Sequence, residues 1–233
     1  MASNLPLLEE AAAKLKHLLP EVVFLGGSTL DLIVTDQGSA PIRSTYDVDV
    51  IVAADYADYS AFCDRLRDIG FDNDTRPDAP LCRFLHGGLM LDVMSTQKGA
   101  LGFSNHWYEG AIQTATPASL PSGKVIRLIA APFFLGTKIE AFYDRGKNDY
   151  YMSHDLEDFI AVVDGRERLL DEIAEAPMEL RKYLGEAATK LLANERFLDA
   201  LPGYVLGDSI SQLRVSLIIE RLRRMGKLSR PKA

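Results

Sequence analysis

Asp47 and Asp49 flank Val48 in the run Tyr46-Asp47-Val48-Asp49-Val50-Ile51-Val52. In an extended strand, residues i and i+2 point to one face, so the two carboxylates stand side by side while Val48 packs on the other face. Adjacent carboxylates repel, and a fold accepts that repulsion most readily around a hard divalent cation. The Val50-Ile51-Val52 run marks the strand as buried, where uncompensated charge is costlier still. A third acid, Asp92, lies in a second strand-like run, Leu91-Asp92-Val93. If the two strands are neighbours the three acids converge, and such a set holds two Mg²⁺ ions about 3.5–4 Å apart for in-line phosphoryl or nucleotidyl transfer. Gly26-Gly27-Ser28 offers the complementary half. Without Cβ atoms its backbone can approach a triphosphate closely, and exposed N–H groups, a helix dipole and the Ser28 hydroxyl all suit phosphate.

The elements that must position these residues follow from the surrounding pattern. Residues 7–19 combine strong helix formers with apolar positions at helical spacing, and Pro20 stops them. Residues 22–25 read as a buried strand entering the Gly26-Gly27 turn, after which Ser28 is expected to cap a helix. A polar loop containing Gly38, Ser39 and Pro41 leads to the strand over 46–52, and 58–69 reads as an amphipathic helix closed by Gly70. His86-Gly87-Gly88 separates strand-like runs over 81–85 and 89–94, a hairpin signal, and 124–129 is one more strand. From 131 onward the pattern is helical, with helices expected over 131–143, from the Ser153 cap to 163, and over 166–174, 179–198 and 209–225. Strands first and helices afterwards divide the chain into a core over 1–130 and a helical domain over 131–233.

The ordered set of a Gly-Gly-Ser turn, an Asp-x-Asp strand and a third acid on a later strand resembles the nucleotidyltransferase fold of the DNA polymerase β type. The local words Phe24-Leu25-Gly26-Gly27-Ser28-Thr29-Leu30 and Arg43-Ser44-Thr45-Tyr46-Asp47-Val48-Asp49-Val50 are similar to those of the AbiEii family of nucleotidyltransferase-like proteins. Lys138-Ile139-Glu140-Ala141, Arg145 and His154-Asp155-Leu156-Glu157-Asp158-Phe159 extend the likeness, which covers residues 22–164. The fold class implied is α/β (α+β), a small mixed-sheet nucleotidyltransferase core followed by a C-terminal helical bundle. The resemblance also implies roles. Gly26, Gly27 and Ser28 would meet the triphosphate, Asp47, Asp49 and Asp92 would ligate metal, and Asp92 would serve as third acid and base. Lys138 would lie at the phosphates, with Asp155 in a supporting polar position. His154 departs from the family, which often has Lys there. Independently of the family, a helix lysine at position 138 can neutralise charge developing on a transferring phosphoryl group, or it is a solvated surface lysine. Arg43 either reaches a phosphate or anchors the loop before the acidic strand.

The reaction implied is Mg²⁺-dependent transfer of NMP from an NTP to an acceptor, tRNA or protein, by a toxin of a type IV toxin–antitoxin or abortive-infection system, with a cognate antitoxin as partner. Two alternatives stand beside it: nucleotidyl transfer to a small cationic molecule of the aminoglycoside kind, and a non-catalytic nucleotide-binding partner of the same fold. The 233 residues carry 26 Lys+Arg against 33 Asp+Glu, a net charge of −7 that argues against broad nucleic-acid binding. The C-terminal positions Arg214, Arg221, Arg223, Arg224, Lys227, Arg230 and Lys232 oppose only Glu220. They read first as a solvated helix end at the negative pole of its dipole, and second as a contact surface for RNA. The four histidines are scattered, which argues against a zinc site. Cys63 reads as a packing residue, and Phe133, Phe134, Phe142 and Tyr143 as core. Two cysteines, no secretory n- and h-regions and no apolar run of spanning length lead to the expectation of a cytoplasmic protein without membrane contact.

Overall fold

Val22–Leu25 (β1) is an unbroken apolar run with every residue buried, as expected for a strand covered on both faces. A computed structural model describes residues 3–146 and 148–228. Six further strands accompany β1: β2 (Asp47–Val52), β3 (Asp72–Asn73), β4 (Arg83–His86), β5 (Leu89–Ser95), β6 (Thr116–Ser119) and β7 (Val125–Leu128). Among the described residues they form one sheet of seven strands in the order β3-β4-β5-β2-β1-β7-β6. β2 is antiparallel to β1 and parallel to β5, β7 is parallel to β1, and the outer pairs are antiparallel, so the sheet is mixed. The architecture is mixed α/β.

The expected hairpin is present, with Gly87 and Gly88 between β4 and β5 and Gly87 at φ 62°. Two strands escape the sequence reading, β3 and β6. Both lie at sheet edges, are mostly exposed, and lack the apolar run that marks a strand.

The chain divides into two compact units, Met1–Asp31 with Arg43–Ala130, and Leu32–Ile42 with Ala131–Ala233. In the first, α1 (Leu5–Leu15) buries Leu8, Ala11, Ala12 and Leu15 at helical spacing. A one-turn helix, α2 (Leu30–Ile33), follows the Gly-Gly-Ser turn, with Leu30 and Asp31 in this unit and Leu32 and Ile33 in the second. α3 (Tyr56–Asp68) starts at Asp55, whose carboxylate accepts the Asp58 N–H at 2.9 Å, and it buries Phe62, Cys63 and Leu66. Two short helices, α4 (Lys98–Leu101) and α5 (Tyr108–Gln113), fill the stretch before β6.

The second unit holds α6 (Ala131–Arg145), α7 (His154–Gly165), α8 (Leu169–Glu175), α9 (Met178–Leu192), α10 (Glu195–Ala200) and α11 (Leu213–Leu228). Ser153 caps α7 by accepting from the Leu156 N–H. The single helix expected over 179–198 is two helices. Asn194 breaks it, because its side chain accepts the Phe197 N–H at 3.2 Å and caps α10. Residues 32–42 pack with the helical unit. The N–H groups of Thr35 and Asp36 both donate to the Gly165 carbonyl, at 2.9 and 2.8 Å, and Arg214 pairs with Asp36 at 2.7 Å. Phe134 and Phe142 are fully buried and Phe133 is nearly so, a core as the sequence suggests. No helix among the described residues is long and apolar enough to cross a membrane.

Candidate active site

β2 alternates: Val48, Val50 and Val52 turn to one face while Asp47, Asp49 and Ile51 turn to the other. Register then decides which acids meet. Asp49 stands opposite Asp92 in the parallel β2–β5 pair and opposite Leu25 in the antiparallel β1–β2 pair. Directly opposed residues share a face. The two-residue turn at Gly87-Gly88 sets β4 against β5 so that Arg83 faces Asp92. A transverse row, Arg83, Asp92, Asp49 and Leu25, therefore crosses four adjacent strands, with Asp47 two residues before Asp49 on the same face.

Arg83 is the residue of this row that sequence reasoning missed. Its Nε and Nη2 donate to the two carboxylate oxygens of Asp92 at 2.7 Å each, and Nη2 also donates to Asp47 Oδ2 at 2.7 Å. This is the bidentate geometry that guanidinium prefers. Hydrogen bonding by Asp92 raises the Arg83 pKa above its ordinary value, outweighing partial burial. The signal was present in the sequence: a two-residue hairpin turn fixes the register, and the register puts a base opposite an acid.

Asp47 is steadied from its other side, where the Thr45 hydroxyl donates to Asp47 Oδ1 at 2.7 Å. The loop that carries Thr45 is clamped by Asn4, a buried amide that donates to the Arg43 carbonyl and accepts the Thr45 N–H, both at 3.1 Å. The Asn4 N–H donates to Asp31 Oδ2 at 2.9 Å, which closes the clamp on the first unit. Arg43 thus lies in the loop before β2, with its carbonyl anchored.

Gly26 leaves β1 at φ 75°, a conformation that favours glycine. A Cβ added there would stand 1.8 Å from Asp49 Oδ2, so the carboxylate of Asp49 rests directly over the glycine backbone. Gly27, Ser28 and Thr29 form a buried 3₁₀ turn. Ser28 is not a helix cap; Thr29 takes the local bond instead, its hydroxyl donating to the Gly26 carbonyl at 2.8 Å. The Ser28 hydroxyl is fully buried and has no hydrogen-bond partner, a state that a polar ligand at the turn would relieve. The helix that follows ends at Ile33, so its dipole is weaker than the sequence reading supposed. Gly26→Ala is expected to cost about 1–3 kcal/mol from backbone conformation alone, and more because Asp49 must move. Urea denaturation of the variant against the parent measures this, and a neutral result would show that Asp49 does not rest over Gly26.

Next to the row, burial pushes the Cys82 thiol up to about 12, with the charges of Asp92 and Asp49 adding to the effect. Cys82 is therefore a neutral thiol near pH 7 and is no nucleophile. Among the described residues no group of three or more His, Cys, Asp or Glu is arranged to hold a metal ion. The positive charge between Asp47 and Asp92 is the Arg83 guanidinium. In kind, the donors still fit Mg²⁺: all are hard carboxylate oxygens, two already converge on one nitrogen, and the neighbouring turn has the unpartnered Ser28 hydroxyl.

Lys138 and Asp155 belong to the helical unit. Lys138 is no solvated lysine: it is buried, with Nζ 2.7 Å from Asp158 and 3.2 Å from Asp155. Arg145 donates to both Asp155 oxygens, at 3.0 and 3.1 Å. Burial alone would raise the Asp155 pKa, but Lys138 and Arg145 outweigh it and hold the carboxyl below its ordinary range. His154 is exposed and lies 3.0 Å from Glu157, one turn along α7. The C-terminal cations are not one surface. Arg214 chelates Asp164 with Nε at 2.8 Å from both oxygens, and Arg221 donates to the Val163 and Asp164 carbonyls. Arg223, Arg224 and Lys227 are exposed, and Arg230 and Lys232 lie outside the described residues.

The sequence matches no protein-family model and none of the curated proteins. Among solved structures, the chain is similar to an antigenic nucleotidyltransferase-like protein from Paracoccidioides brasiliensis, at 21% identity over 85% of this chain and 93% of that one, with a TM-score of 0.48. It is also similar to JHP933 from Helicobacter pylori, at 11% identity over 95% of this chain and 91% of that one, with a TM-score of 0.47.

Proposed function

We propose that this protein is a Mg²⁺-dependent nucleotidyltransferase that moves a nucleoside monophosphate from an NTP to an acceptor hydroxyl and releases pyrophosphate. The observation that carries the reading is the row in which Asp49 and Asp92 face each other on adjacent strands, with Asp47 beside them and the Gly26 turn under Asp49.

Asp47, Asp49 and Asp92 would hold the metal, which supplies Lewis-acid polarisation and charge neutralisation at the α-phosphate when bound. The remaining work falls to the chain itself. The turn at Gly26 and Gly27 would meet the triphosphate with the Ser28 hydroxyl as donor, and glycine at position 26 lets Asp49 lie against that turn. Asp92 takes the proton from the acceptor hydroxyl as the new oxygen–phosphorus bond forms. The bond between the α-phosphorus and its bridging oxygen breaks, and both of its electrons leave with pyrophosphate, so the atoms balance. Thr45 and Asn4 keep Asp47 in register throughout.

The finer reading rests on the likeness of residues 22–164 to the AbiEii family: a growth-inhibiting toxin that modifies tRNA or protein and is paired with an antitoxin. The test is to incubate the protein with each NTP, labelled in turn at the α- and γ-phosphate, with Mg²⁺ and either total RNA, lysate protein or a small-molecule pool. Label from the α-position is expected in one macromolecular pool, with none from the γ-position. Transfer of γ-label would reverse the reaction type, and transfer to the small-molecule pool alone would overturn the toxin reading. Absence of both transfer and Mg²⁺-dependent NTP binding would overturn the proposal.

A further inference from the structure

We propose that Arg83 is a resident counter-cation, whose guanidinium occupies the charge position between Asp47 and Asp92 and must leave when a divalent cation enters, so that metal binding is an exchange. The proposal rests on the reading of Asp47, Asp49 and Asp92 as cation ligands.

Three carboxylates on one face of two adjacent strands repel one another, and none can move far, because each is fixed to a central strand by the ladder. Arg83 neutralises part of that charge with three contacts of 2.7 Å, bidentate to Asp92 and single to Asp47. The groups are largely buried, with side-chain exposures of 17% for Arg83, 10% for Asp92 and 31% for Asp47. Low exposure strengthens the pairing and makes removal of one partner costly to the other.

A guanidinium does not lose its proton at any ordinary pH, so this cation cannot be neutralised in place. A divalent cation bound to the same oxygens would lie well inside hydrogen-bond distance of Nη2, and two positive centres cannot share that space. Arg83 therefore has to swing aside. Its neighbourhood offers a soft landing: Nη1 already lies 4.0 Å from the Met90 sulfur, which shares the face of β5 with Asp92. Two consequences follow. The nucleotide-free site binds divalent cations weakly, since each cation must displace a bidentate arginine. A metal–NTP complex binds better than bare metal, because the triphosphate brings a negative charge that receives the displaced guanidinium. The acids are thus compensated in both states, and exchange of the cation couples metal loading to substrate.

The test uses Mn²⁺ without nucleotide, its free concentration followed by electron paramagnetic resonance, on the parent, Arg83→Met and Arg83→Lys, alongside thermal unfolding in EDTA and in excess Mn²⁺. Arg83→Met is expected to bind Mn²⁺ about tenfold or more tightly than the parent, the change that one displaced charge-assisted hydrogen bond can give. Arg83→Lys is expected to fall between, since an ammonium cannot chelate Asp92. In EDTA Arg83→Met should melt below the parent, and Mn²⁺ should restore most of the difference. Equal, measurable affinity in all three proteins, with a melting deficit indifferent to Mn²⁺, would overturn the exchange and leave the metal site standing. Failure of every protein to bind Mn²⁺ would overturn the metal-site reading, and the exchange with it. If Arg83→Met does not fold in either buffer, Arg83→Lys decides by the same comparison.

Discussion

Asp49→Asn should lower the rate of α-label transfer by on the order of 10²–10³-fold or more, the loss that follows removal of one preorganised electrostatic group, while the protein stays folded. Asparagine keeps the shape that rests over Gly26, so the close packing at that turn survives. It removes one of three neighbouring negative charges, so the melting temperature should hold or rise. The combination separates chemistry from folding: initial rates fall and thermal unfolding does not. A parent-like rate in a folded Asp49→Asn protein would remove Asp49 from the site. Asp47 is a less clean target, because its carboxylate also binds Thr45 and Arg83 and its loss would disturb both.

Lys138→Met should destabilise the protein by about 3–5 kcal/mol, the range for stripping one partner from a buried ion pair. Asp158 is fully buried, and Asp155 nearly so; without Lys138, Asp158 loses the ammonium 2.7 Å from its carboxylate. Asp155 keeps the Arg145 guanidinium, so the larger share of the penalty falls on Asp158. The double variant Lys138→Met with Asp158→Asn should recover a measurable part of the loss, because the stranded charge is gone. Urea denaturation of the parent, both single variants and the double variant gives the coupling directly. A loss under about 1 kcal/mol would place the lysine with exposed pairs, which contribute little. Its burial argues otherwise.

The parts of the molecule that were legible in the sequence are those whose signals are local. β1, β2 and β5 announced themselves because a buried strand must be apolar over successive residues, and the two acids of β2 fell on one face because the strand period is two. The Gly87-Gly88 turn was equally plain. What escaped depends on partners far away in sequence. β3 and β6 have little apolar character of their own and are strands only because β4 and β7 bond to them. The Asn4 clamp joins positions 41 residues apart, and no local pattern marks it. In the basic C-terminal segment the expectation of solvated cations fails, among the described residues, at Arg214 and Arg221 alone, and for a different reason, since adding up charges ignores the helix face. Arg214 and Arg221 share helical spacing with the buried Ile218, Leu222 and Met225, and so turn inward to carboxylate and carbonyl partners. Arg83 was within reach, because hairpin register is a local property; what it required was pairing the strands residue by residue.

Residues 32–42 have a consequence for how the chain is made. They lie within the stretch of sequence that builds the sheet, yet their partners are Gly165 and Arg214, the latter 178 positions away from Asp36. During synthesis this segment emerges long before α7 and α11 exist, so it must wait as an open loop while the strands on either side of it pair. Neither unit is a continuous piece of chain, and no single cut separates one from the other. The helical unit is therefore complete only when residues 32–42 meet helices made more than a hundred residues later.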